Sequence, residues 1–499
     1  MNINFTSFIR GAVIAAACIF ALAMGPLLTS DSMMPVFVLA GIVLLAITSS
    51  FPSWLVIICI VCSLLTGRTG LGVGYWEIFA LALIIRWCLT VPFHGGLFGQ
   101  IEGKWTFICI TGFTVVLFFH GFPALVGIGE SVGRRLAVLS IASLGLSYLL
   151  LSGKLDLSKL PLLPWIGVVP GIITAGFDLI NLAIPSALPI TFFIYNDQNF
   201  ELMAAFQGAQ LSMIRIAGLR ELGLGIAFLS LSYFACQRAP HLRRLLTQAG
   251  GTLMGALLAA LSGYRAYVAQ IALGTLIAAY ARSKATFLLV CLCGLLGIGT
   301  LVFIHQQVAE LPLPMQRALS WLPGDWDWRT KDDADGGFAW RAQIRDYYFA
   351  RIFPETWLLG RGLAYDERID AMQWMMNDPT LNIQYFVAIQ NYHSGLVSTL
   401  DFVGVVGTLF FVAGCLRGIW NAFVILRNRE NARPWQLWIA IMFLTANPPF
   451  WYTGFFDRIF PFFVIAMCLL ELARREQATV SGRIEEESEK VFDYELEAT

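Results

Sequence analysis

The sequence has few charged residues: Lys, Arg, Asp and Glu together make up 13% of its 499 residues, whereas 57% are hydrophobic. Such a chain cannot bury its apolar surface in one soluble core, so we expect lipid to solvate much of it. The formal net charge is zero, so the chain has no excess of positive charge with which to bind nucleic acid. The composition therefore indicates a polytopic membrane protein, and nucleic acid is not an expected partner.

The long polar stretch from residue 306 to residue 392 contains no cysteine, and no internal repeat or inverted symmetry is visible along the chain. The ten cysteines all fall in or beside apolar segments: Cys18, Cys59, Cys62, Cys88, Cys109, Cys236, Cys291, Cys293, Cys415 and Cys468. This distribution indicates neither a disulfide framework nor a thiolate metal site. The lack of repeats disfavours the commonest transporter architectures.

Apolar runs near the length of a membrane span recur along the chain. They lie at about 11–28, 34–49, 51–66, 74–91, 105–119, 136–151, 161–179, 222–236, 248–262, 266–281, 285–304, 396–416, 435–449 and 458–472. They predict an all-α polytopic membrane protein with about 12 to 14 transmembrane helices and one large, partly helical loop between the fourth-last and third-last helices. Residues 183–195, broken by Pro185 and Pro189, are predicted to be re-entrant or interfacial. The first run resembles a signal peptide ending near Ala21-Leu22-Ala23, but the many later spans favour an uncleaved helix.

This pattern divides the chain into five parts. They are N-terminal transmembrane helices at 1–200, helices with external arginines at 201–305, an external loop at 306–393, C-terminal transmembrane helices at 394–472 and an acidic tail at 473–499. We expect the tail to be disordered and cytoplasmic, because it carries Arg474 and Arg475 followed by a run of glutamates.

Short basic segments beside helix ends predict the orientation, because Lys and Arg are retained there on the cytoplasmic side. The segments contain Arg238, Arg243, Arg244, Arg282, Lys284, Arg417, Arg427, Arg429, Arg433, Arg474 and Arg475. Counting helices puts all of them on one face and puts the long loop and His393 on the external face. Arg134 and Arg135 are a weaker exception in the N-terminal half.

Arg215, Arg220 and Arg265 run against this tendency, because they fall at external helix ends. An arginine in such a place either faces lipid or has an anionic partner. The guanidinium fork matches the oxygens of a phosphate, so the cluster predicts a site for a polyanion. Pairing with the loop's own carboxylates stays open for each arginine.

The external loop contains an acidic run from Lys331 to Gly337. The run lacks the spacing and the closing glutamate of a calcium loop, so we predict a solvated turn. Downstream, helical spacing puts Arg341 and Arg345 on one face, from which they could reach an anion at the membrane surface. Pro354 and the glycines around Arg361 predict a turn that ends this helix.

His393 lies at the start of the helix that follows the loop and places a titratable imidazole at the membrane surface. A lone histidine is more often a surface residue than a base, so the hypothesis of catalysis depends on this position. Asp401 lies two turns deeper and is predicted either to orient a group above it or to be a buried packing group. Gly404 and Gly407 predict the close approach of another helix, which would fix the top of this one.

The sequence His393-Ser394, nine residues and Gly404-x-x-Gly407 resembles the His-(Asn/Ser/Gln)-x9-Gly-x-x-Gly signature of the bacterial O-antigen ligase and polymerase superfamily. Further segments that resemble the family are Arg215 to Gly218, Ser262 to Ala266 and Pro354 to Gly362. The resemblance covers about residues 210–420, and only the histidine motif is specific. Ser262 and Arg265 are separated here, whereas the family often has them adjacent.

The resemblance implies a multi-pass protein of the bacterial inner membrane that transfers a glycan from undecaprenyl diphosphate to a hydroxyl acceptor at the periplasmic face. The acceptor would be a lipid A core or another glycan, and no metal or other cofactor is expected. The diphosphate would be held by Arg215, Arg220, Arg265 and Arg341. His393 would accept the proton of the acceptor hydroxyl, a role that suits an imidazole with an ordinary pKa near 6.5. Supporting residues would be Ser394, Asp401, Gly404, Gly407, Arg345 and Arg361.

Direct displacement would invert the anomeric centre, and the loop aromatics Trp326, Trp328 and Trp340 could either stack on sugars or cap the loop's own core. Expected partners besides donor and acceptor are membrane lipid and proteins of polysaccharide assembly. A ligase, a polymerase of lipopolysaccharide or exopolysaccharide and a protein O-glycosylating enzyme stay open. The alternative from another class is a polysaccharide or lipid-linked glycan transporter or flippase, with ionisable candidates at Glu77, Arg86, Asp178 and Asp401. A scaffold for periplasmic partners is a third reading.

Overall fold

The computed structural model of the protein describes residues 52–65, 74–90, 101–119, 132–184, 186, 191, 216–237, 241–362, 382–388, 390–453 and 456–497. Regular structure in these ranges is helical, and they contain no β-strand. The predicted all-α class is therefore confirmed for the described residues. The predicted runs at 11–28 and 34–49 and most of the piece at 183–195 lie outside them.

The N-terminal half forms helices at the predicted apolar runs. They are α1 (Pro52–Cys62), α2 (Tyr75–Thr90), α3 (Lys104–Leu117), α4 (Val132–Leu151), α5 (Leu163–Ile166) and α6 (Val169–Ala183), with a 3-10 turn at Leu160–Leu162 before α5. Pro164 and Pro170 lie in the first turns of α5 and α6, where the missing N–H removes no helix bond.

The C-terminal half continues the pattern on both sides of the polar loop. Before the loop come α7 (Ala217–Cys236), α8 (Leu242–Leu261), α9 (Arg265–Arg282) and α10 (Lys284–Gln307). The loop contains α11 (Leu313–Leu319), α12 (Trp328–Tyr347), a π-helical turn (Tyr348–Ile352), α13 (Phe353–Thr356) and α14 (Asn382–Ala388). After it come α15 (Gly395–Arg427), α16 (Pro434–Thr453) and α17 (Phe456–Glu497), with a 3-10 turn at Arg429–Asn431.

Four described helical segments are long and apolar enough to cross a membrane: Leu160–Ala183, Gly218–Cys236, Lys284–Gln307 and Gly395–Arg427. Lys284–Gln307 is the most apolar, and no residue in its most apolar window is buried inside the protein. A helix that is apolar and exposed all round suits a lipid environment. These helices are compatible with a membrane protein, while the total of about 12 to 14 spans remains a prediction.

The main core lies where α15, α16 and α17 pack against one another and against α3 and α4. Buried phenylalanines fill it: the ring centroids of Phe450 and Phe463 are 4.7 Å apart, and those of Phe411 and Phe460 are 5.9 Å apart. Close-packed rings of this kind resist rearrangement. The start of α15 and the end of α16 therefore have a fixed relative position.

The basic ends of several helices lie together. Arg429 donates to the carbonyls of Ala235 (3.0 Å) and Gln237 (3.2 Å) after α7, and to that of Arg282 (3.2 Å) at the end of α9. Arg433 is 2.8 Å from Glu476 of α17. These arginines share one face of the bundle, as the helix count predicts.

Two predictions about polar segments are wrong. The acidic run 331–337 is not a turn but part of α12, although Asp332 and Asp335 are exposed. Asp327 caps this helix by accepting from the N–H of Arg329 (2.8 Å). The cap stabilises the start of a helix whose interior contains Gly336 and Gly337, residues of low helix propensity.

The second wrong prediction is the disordered tail, because α17 continues through residues 473–497. Glu471, 1% exposed, accepts hydrogen bonds from Arg417 (3.1 Å) and Asn421 (2.8 Å) of α15. One turn later, Arg475 lies 3.5 Å from the same carboxylate. Pairs at this spacing stabilise a helix, and the contact with α15 holds its first polar turns.

His305 joins the end of α10 to the loop. Its Nδ1 accepts from the N–H of Leu311 (3.2 Å), its Nε2 lies 3.0 Å from the carbonyl oxygen of Asp325, and its ring stacks on Trp326 at 4.6 Å. Trp326 is 4% exposed. Of the two alternatives for Trp326, the one that the structure supports is packing in the loop's own core.

Candidate functional site

His393 lies in a left-handed turn immediately before α15. Its φ is 47°, and that of Gln390 is 57°. Such angles are uncommon for residues other than glycine, and they persist where the surroundings hold them. The half-buried imidazole meets the Trp340 ring nearly edge to face, with centroids 5.0 Å apart, and Phe386 lies 6.0 Å away. Residues of α12 and α14 therefore frame the imidazole.

A small apolar core holds α12 over the start of α15. It consists of Ile344, Tyr348, Val387, Tyr392, Val397 and Leu400. Trp340 packs on its edge and donates from Nε1 to Asn382 of α14 (3.1 Å). This packing brings the helix that carries Arg341 and Arg345 beside His393.

Contacts between arginines and aromatic rings extend the site from α12 to the start of α9 and the end of α16. The guanidinium carbon of Arg345 lies 5.2 Å from the ring centroid of Tyr452 at the end of α16. Phe338, two turns before Arg345 in α12, lies 6.3 Å from Tyr452, and the guanidinium carbon of Arg265 lies 6.0 Å from Phe338. Phe338 and Arg345 are seven residues apart and share a helix face. The start of α9 and the end of α16 thus meet at α12.

Arg265, the first residue of α9, also has a structural role. Its Nε donates to the carbonyl of Arg317 (2.8 Å), and its Nη2 donates to that of Thr330 (3.4 Å). Arg317 donates in turn to the carbonyl of Gly263 (2.7 Å), which has φ 77°. The two arginines fasten the turn between α8 and α9 to the loop. Two nitrogens of the Arg265 guanidinium group are therefore bonded to backbone carbonyls of the loop.

Arg220 lies in the first turn of α7 and is 8% exposed. Its guanidinium carbon is 4.5 Å from Tyr264 and 5.2 Å from Tyr267, the residues that flank the start of α9. Its Nη2 is 3.5 Å from Glu221, which belongs to α7 and not to the loop whose carboxylates were the expected partners. Arg220 and Arg265 therefore lie at neighbouring helix N-termini, where partial positive charge favours an anion.

Arg341 and Arg215 complete the predicted set of arginines. Arg341 donates from Nη1 to the carbonyl of Gly337, one turn earlier in α12 (3.0 Å). Arg215 lies outside the described residues. Gly218, at the end of the segment that resembles the ligase family, donates its N–H to Asp178 of α6 (2.7 Å). Asp178 therefore has a partner inside the fold.

Helix α15 is broken at Gly404, which has φ 58° and ψ −164°. In an unbroken helix the N–H groups of residues 405 and 406 would bond to the carbonyls of 401 and 402. Here the N–H groups of 405 and 406 donate to the carbonyls of 357 (2.7 Å) and 358 (3.1 Å), and the carbonyls of 401 and 402 accept from the N–H groups of 361 (2.6 Å) and 362 (3.1 Å). The segment 357–362, here called the strap, thus inserts into the break and replaces two helix bonds with four.

The strap and the helix approach so closely that glycine is required on both sides. A Cβ on Gly404 would lie 2.3 Å from the carbonyl oxygen of Leu358, and one on Gly360 would lie 2.6 Å from that of Asp401. The prediction of a neighbouring helix is wrong for Gly404, because the strap is what approaches there. It holds for Gly407, whose Cβ would lie 3.2 Å from Val116 of α3.

Arg361 and Asp401 form a fork-shaped ion pair between the strap and α15. Nε of Arg361 is 2.7 Å from Oδ1 of Asp401, and Nη2 is 2.9 Å from Oδ2. Asp401 is fully buried and also accepts from Gln390 (2.8 Å). Nη2 of Arg361 donates further to Tyr392 (2.6 Å) and to the carbonyl of Val387 (3.0 Å). Both readings of Asp401 stay open, because it is buried and also bonded to groups close to His393 in the chain.

The buried phenol of Tyr392 belongs to this cluster. Burial raises the pKa of Tyr392 well above its ordinary value, and the negative charge of Asp401 adds to the shift. The phenol therefore stays protonated at neutral pH and accepts from Arg361 through its oxygen. On the other side of His393, Ser394 donates to the carbonyl of Trp451 (3.3 Å), which ties the start of α15 to the end of α16.

Sequence reasoning missed the strap and four side chains that shape the site: Gln390, Tyr392, Arg317 and Tyr452. Tyr392 directly precedes His393, but nothing in the chain pattern pairs it with Arg361, 31 residues away. Arg317 had a readable signal, because it is a basic residue of the long polar loop. Tyr452 follows two prolines near a helix end, and a tyrosine in such a place is expected to be a packing residue and not part of a site.

The described side chains include no cluster of three or more His, Cys, Asp or Glu residues with the arrangement of metal ligands. Helix α12 is the element that links the imidazole to guanidinium groups: its Trp340 contacts His393, its Phe338 lies near Arg265, and it carries Arg345. No protein-family model matches this chain, and no curated protein sequence is similar to it. The likeness to O-antigen ligases therefore depends on the sequence motifs alone.

Proposed function

We propose that this chain is a membrane glycosyltransferase of the O-antigen ligase or polymerase type. It transfers a glycan from an undecaprenyl-diphosphate donor to a hydroxyl acceptor at the periplasmic face of the bacterial inner membrane. The observation that supports this most is the position of α12, which packs Trp340 against His393 and links Arg345 and Arg265 through aromatic contacts. An imidazole beside several guanidinium groups suits a hydroxyl nucleophile and an anionic leaving group.

In the proposed reaction the acceptor oxygen attacks the anomeric carbon, and its proton passes to His393. The bond from that carbon to the diphosphate oxygen breaks, and its electron pair leaves with the diphosphate. The new bond forms on the opposite side of the sugar, so the anomeric configuration inverts. His393 then releases the proton to water.

The arginines have the second task, which is to hold the leaving group. Arg220 and Arg265 at the starts of α7 and α9, with Arg341 from α12 and Arg215, would bind the diphosphate and stabilise the charge that grows on its oxygen. Trp328, 71% exposed at the start of α12, offers an open ring face to a sugar. Trp340 instead meets the imidazole and positions it.

The test uses the purified chain in lipid nanodiscs with a defined undecaprenyl-diphosphate glycan and a hydroxyl acceptor. His393→Ala should lower the transfer rate by about 10² to 10⁴-fold while donor binding stays within about twofold of the unaltered protein. The matched control is His241→Ala, because His241 is exposed at the start of α8 on the basic face. Transfer by His393→Ala at the normal rate would remove the assignment of the base.

The diphosphate assignment needs its own variants. Arg341→Gln and Arg220→Gln should weaken donor binding, whereas Arg243→Gln, an exposed arginine on the basic face, should not. Normal binding by both site variants would overturn the assignment. The mass of the product separates a ligase from a polymerase and from a protein O-glycosylating enzyme.

The flippase alternative has less support from the described residues. It needs ionisable groups along a path through the membrane, but Asp178 accepts from Gly218 and Asp401 is bound to Arg361. The same experiment separates the two classes, because a flippase forms no covalent product.

A further inference from the structure

The hydrogen bonds of the Arg361–Asp401 pair go to residues that immediately precede His393. Arg361 reaches the carbonyl of Val387 and the phenol of Tyr392, and Asp401 accepts from Gln390. Gln390 also donates to the carbonyl of Gly362 in the strap (3.2 Å). One ion pair therefore holds three points of the six residues before the imidazole.

We propose that the Arg361–Asp401 pair positions His393 for glycan transfer by holding the turn 387–392 against the break in α15. This inference rests on the proposed function. It assigns the pair a positioning role in the reaction, and it assigns the strap the task of bringing Arg361 to Asp401.

The turn needs such a device because its backbone is in an unfavourable region. Gln390 and His393 both have φ in the left-handed region. This conformation is unfavourable for a residue with a side chain and persists only where neighbouring groups hold it. The hydrogen bonds of Gln390 to Asp401 and to Gly362 hold one of these two residues directly. The other is bounded by Tyr392, which Arg361 holds, and by Ser394, which is bonded to α16.

The strap delivers the guanidinium to a place that a surface side chain would not reach. Asp401 is fully buried in α15, about 12 Å of helix rise beyond residue 393 at 1.5 Å per residue. The N–H of Arg361 bonds to the carbonyl of Asp401 while its side chain bonds to the carboxylate. The same residue is thus fixed at both ends, which leaves the guanidinium fork a single orientation.

The chemistry of the pair requires a planar fork. Nη2 of Arg361 contacts an Asp401 oxygen, a carbonyl and a phenol, while Nε contacts the second Asp401 oxygen. A lysine ammonium is a point charge on a flexible stem and cannot reproduce this arrangement. Arg361→Lys therefore keeps the charge but should release the turn.

The experiment compares Asp401→Asn and Arg361→Lys with two matched controls on the loop, Asp335→Asn and Arg351→Lys, which change exposed residues. A misplacement of about 1 Å at a reacting group can lower a rate about 10²-fold, so kcat for glycan transfer should fall about 10- to 100-fold in both pair variants. KM for the donor should stay within about threefold, because the arginines that bind diphosphate are elsewhere. The controls should keep the normal kcat.

A second measurement does not depend on catalysis. Diethyl pyrocarbonate modifies exposed imidazoles, and mass spectrometry reports the modification of His393 in each variant. The half-buried imidazole should react several-fold faster in Asp401→Asn and Arg361→Lys than in the unaltered chain and the controls, with His241 as the internal standard.

The two readouts separate the two proposals. Unchanged reactivity of His393 in both pair variants overturns the positioning role, whatever the activity. Equal losses of kcat, donor binding and thermal stability would also overturn it, because they would indicate general unfolding. If the unaltered chain forms no glycan product but His393 still reacts faster in the pair variants, glycan transfer is refuted. The pair would then still position His393.

Discussion

Replacing Gly404 by alanine should expel the strap from α15. The residue has φ 58° and ψ −164°, a region that side chains other than that of glycine rarely adopt. The new Cβ would also lie 2.3 Å from the carbonyl oxygen of Leu358 and 2.4 Å from its carbonyl carbon. Both atoms belong to the backbone, so no side-chain rotation relieves the contact.

The size of the effect follows from the backbone conformation at the break, which costs about 1 to 3 kcal/mol for a residue with a side chain. Expulsion of the strap removes four backbone hydrogen bonds, and a straightened helix regains two. This net loss opposes expulsion equally with glycine and with alanine at position 404, so it cancels from the comparison. The contact of the new Cβ with the Leu358 backbone adds to the cost. We expect Gly404→Ala to destabilise the inserted state, relative to the expelled state, by about 1 to 3 kcal/mol or more.

Hydrogen exchange of the backbone amides measures this directly. The N–H groups of Arg361 and Gly362 should exchange about 10- to 100-fold faster, since each 1.4 kcal/mol is a factor of ten. The control is Gly297→Ala in α10, where a Cβ meets nothing within 4 Å and alanine favours the helix. If exchange at the strap stayed as slow in Gly404→Ala as in the control, the inserted strap would not be the structure in solution.

Two further predictions concern residues beside the site. His305→Ala should destabilise the loop by about 2 to 4 kcal/mol, because it removes the partners of the Leu311 N–H and the Asp325 carbonyl and the stacking on Trp326. A red shift of tryptophan emission and faster proteolysis of the loop would report the loss. A stability equal to that of His241→Ala would refute the prediction. Tyr392→Phe should change the alkaline stability: since the pKa of Tyr392 is raised in the folded chain, its stabilising contribution is complete below pH about 10 and is lost as the pH rises beyond that value. The melting temperature should therefore fall less between pH 9 and pH 11 in the phenylalanine variant, and an equal fall would contradict the assignment.

The apolar runs predicted the helices well, because a segment that lipid solvates must satisfy its backbone internally. Each predicted run that the structure describes coincides with a helix. The polar segments were predicted poorly, since composition says little about capping. Asp327 starts a helix through the acidic run, and Glu471 ties the first polar turns of α17 to α15.

His393 and the predicted arginines could be chosen from the sequence, but the other side chains that shape the candidate site and all of its contacts could not. His393 and the arginines stand out by their position at helix ends. The sequence does not show whether Arg361 binds a substrate anion or the carboxylate of Asp401. The answer depends on how the chain folds back to residue 401 after the loop, and no local pattern carries that information. Glycines at 360, 362 and 404 indicate only that another segment approaches closely. The sequence does not show which segment that is.

The spacing in the histidine motif acquires a physical meaning from the strap. Nine residues separate Ser394 from Gly404, so the first part of α15 is about two and a half turns of rigid helix between the imidazole and the break. The strap meets this helix twice: its backbone enters at the break, and Arg361 returns toward residues 387–392 above it. One added residue would rotate the two ends by about 100° relative to each other, and a single arginine could no longer hold both. The nine-residue spacing therefore suits an arrangement in which Arg361 binds both the break in α15, through its backbone, and residues 387 and 392, through its side chain.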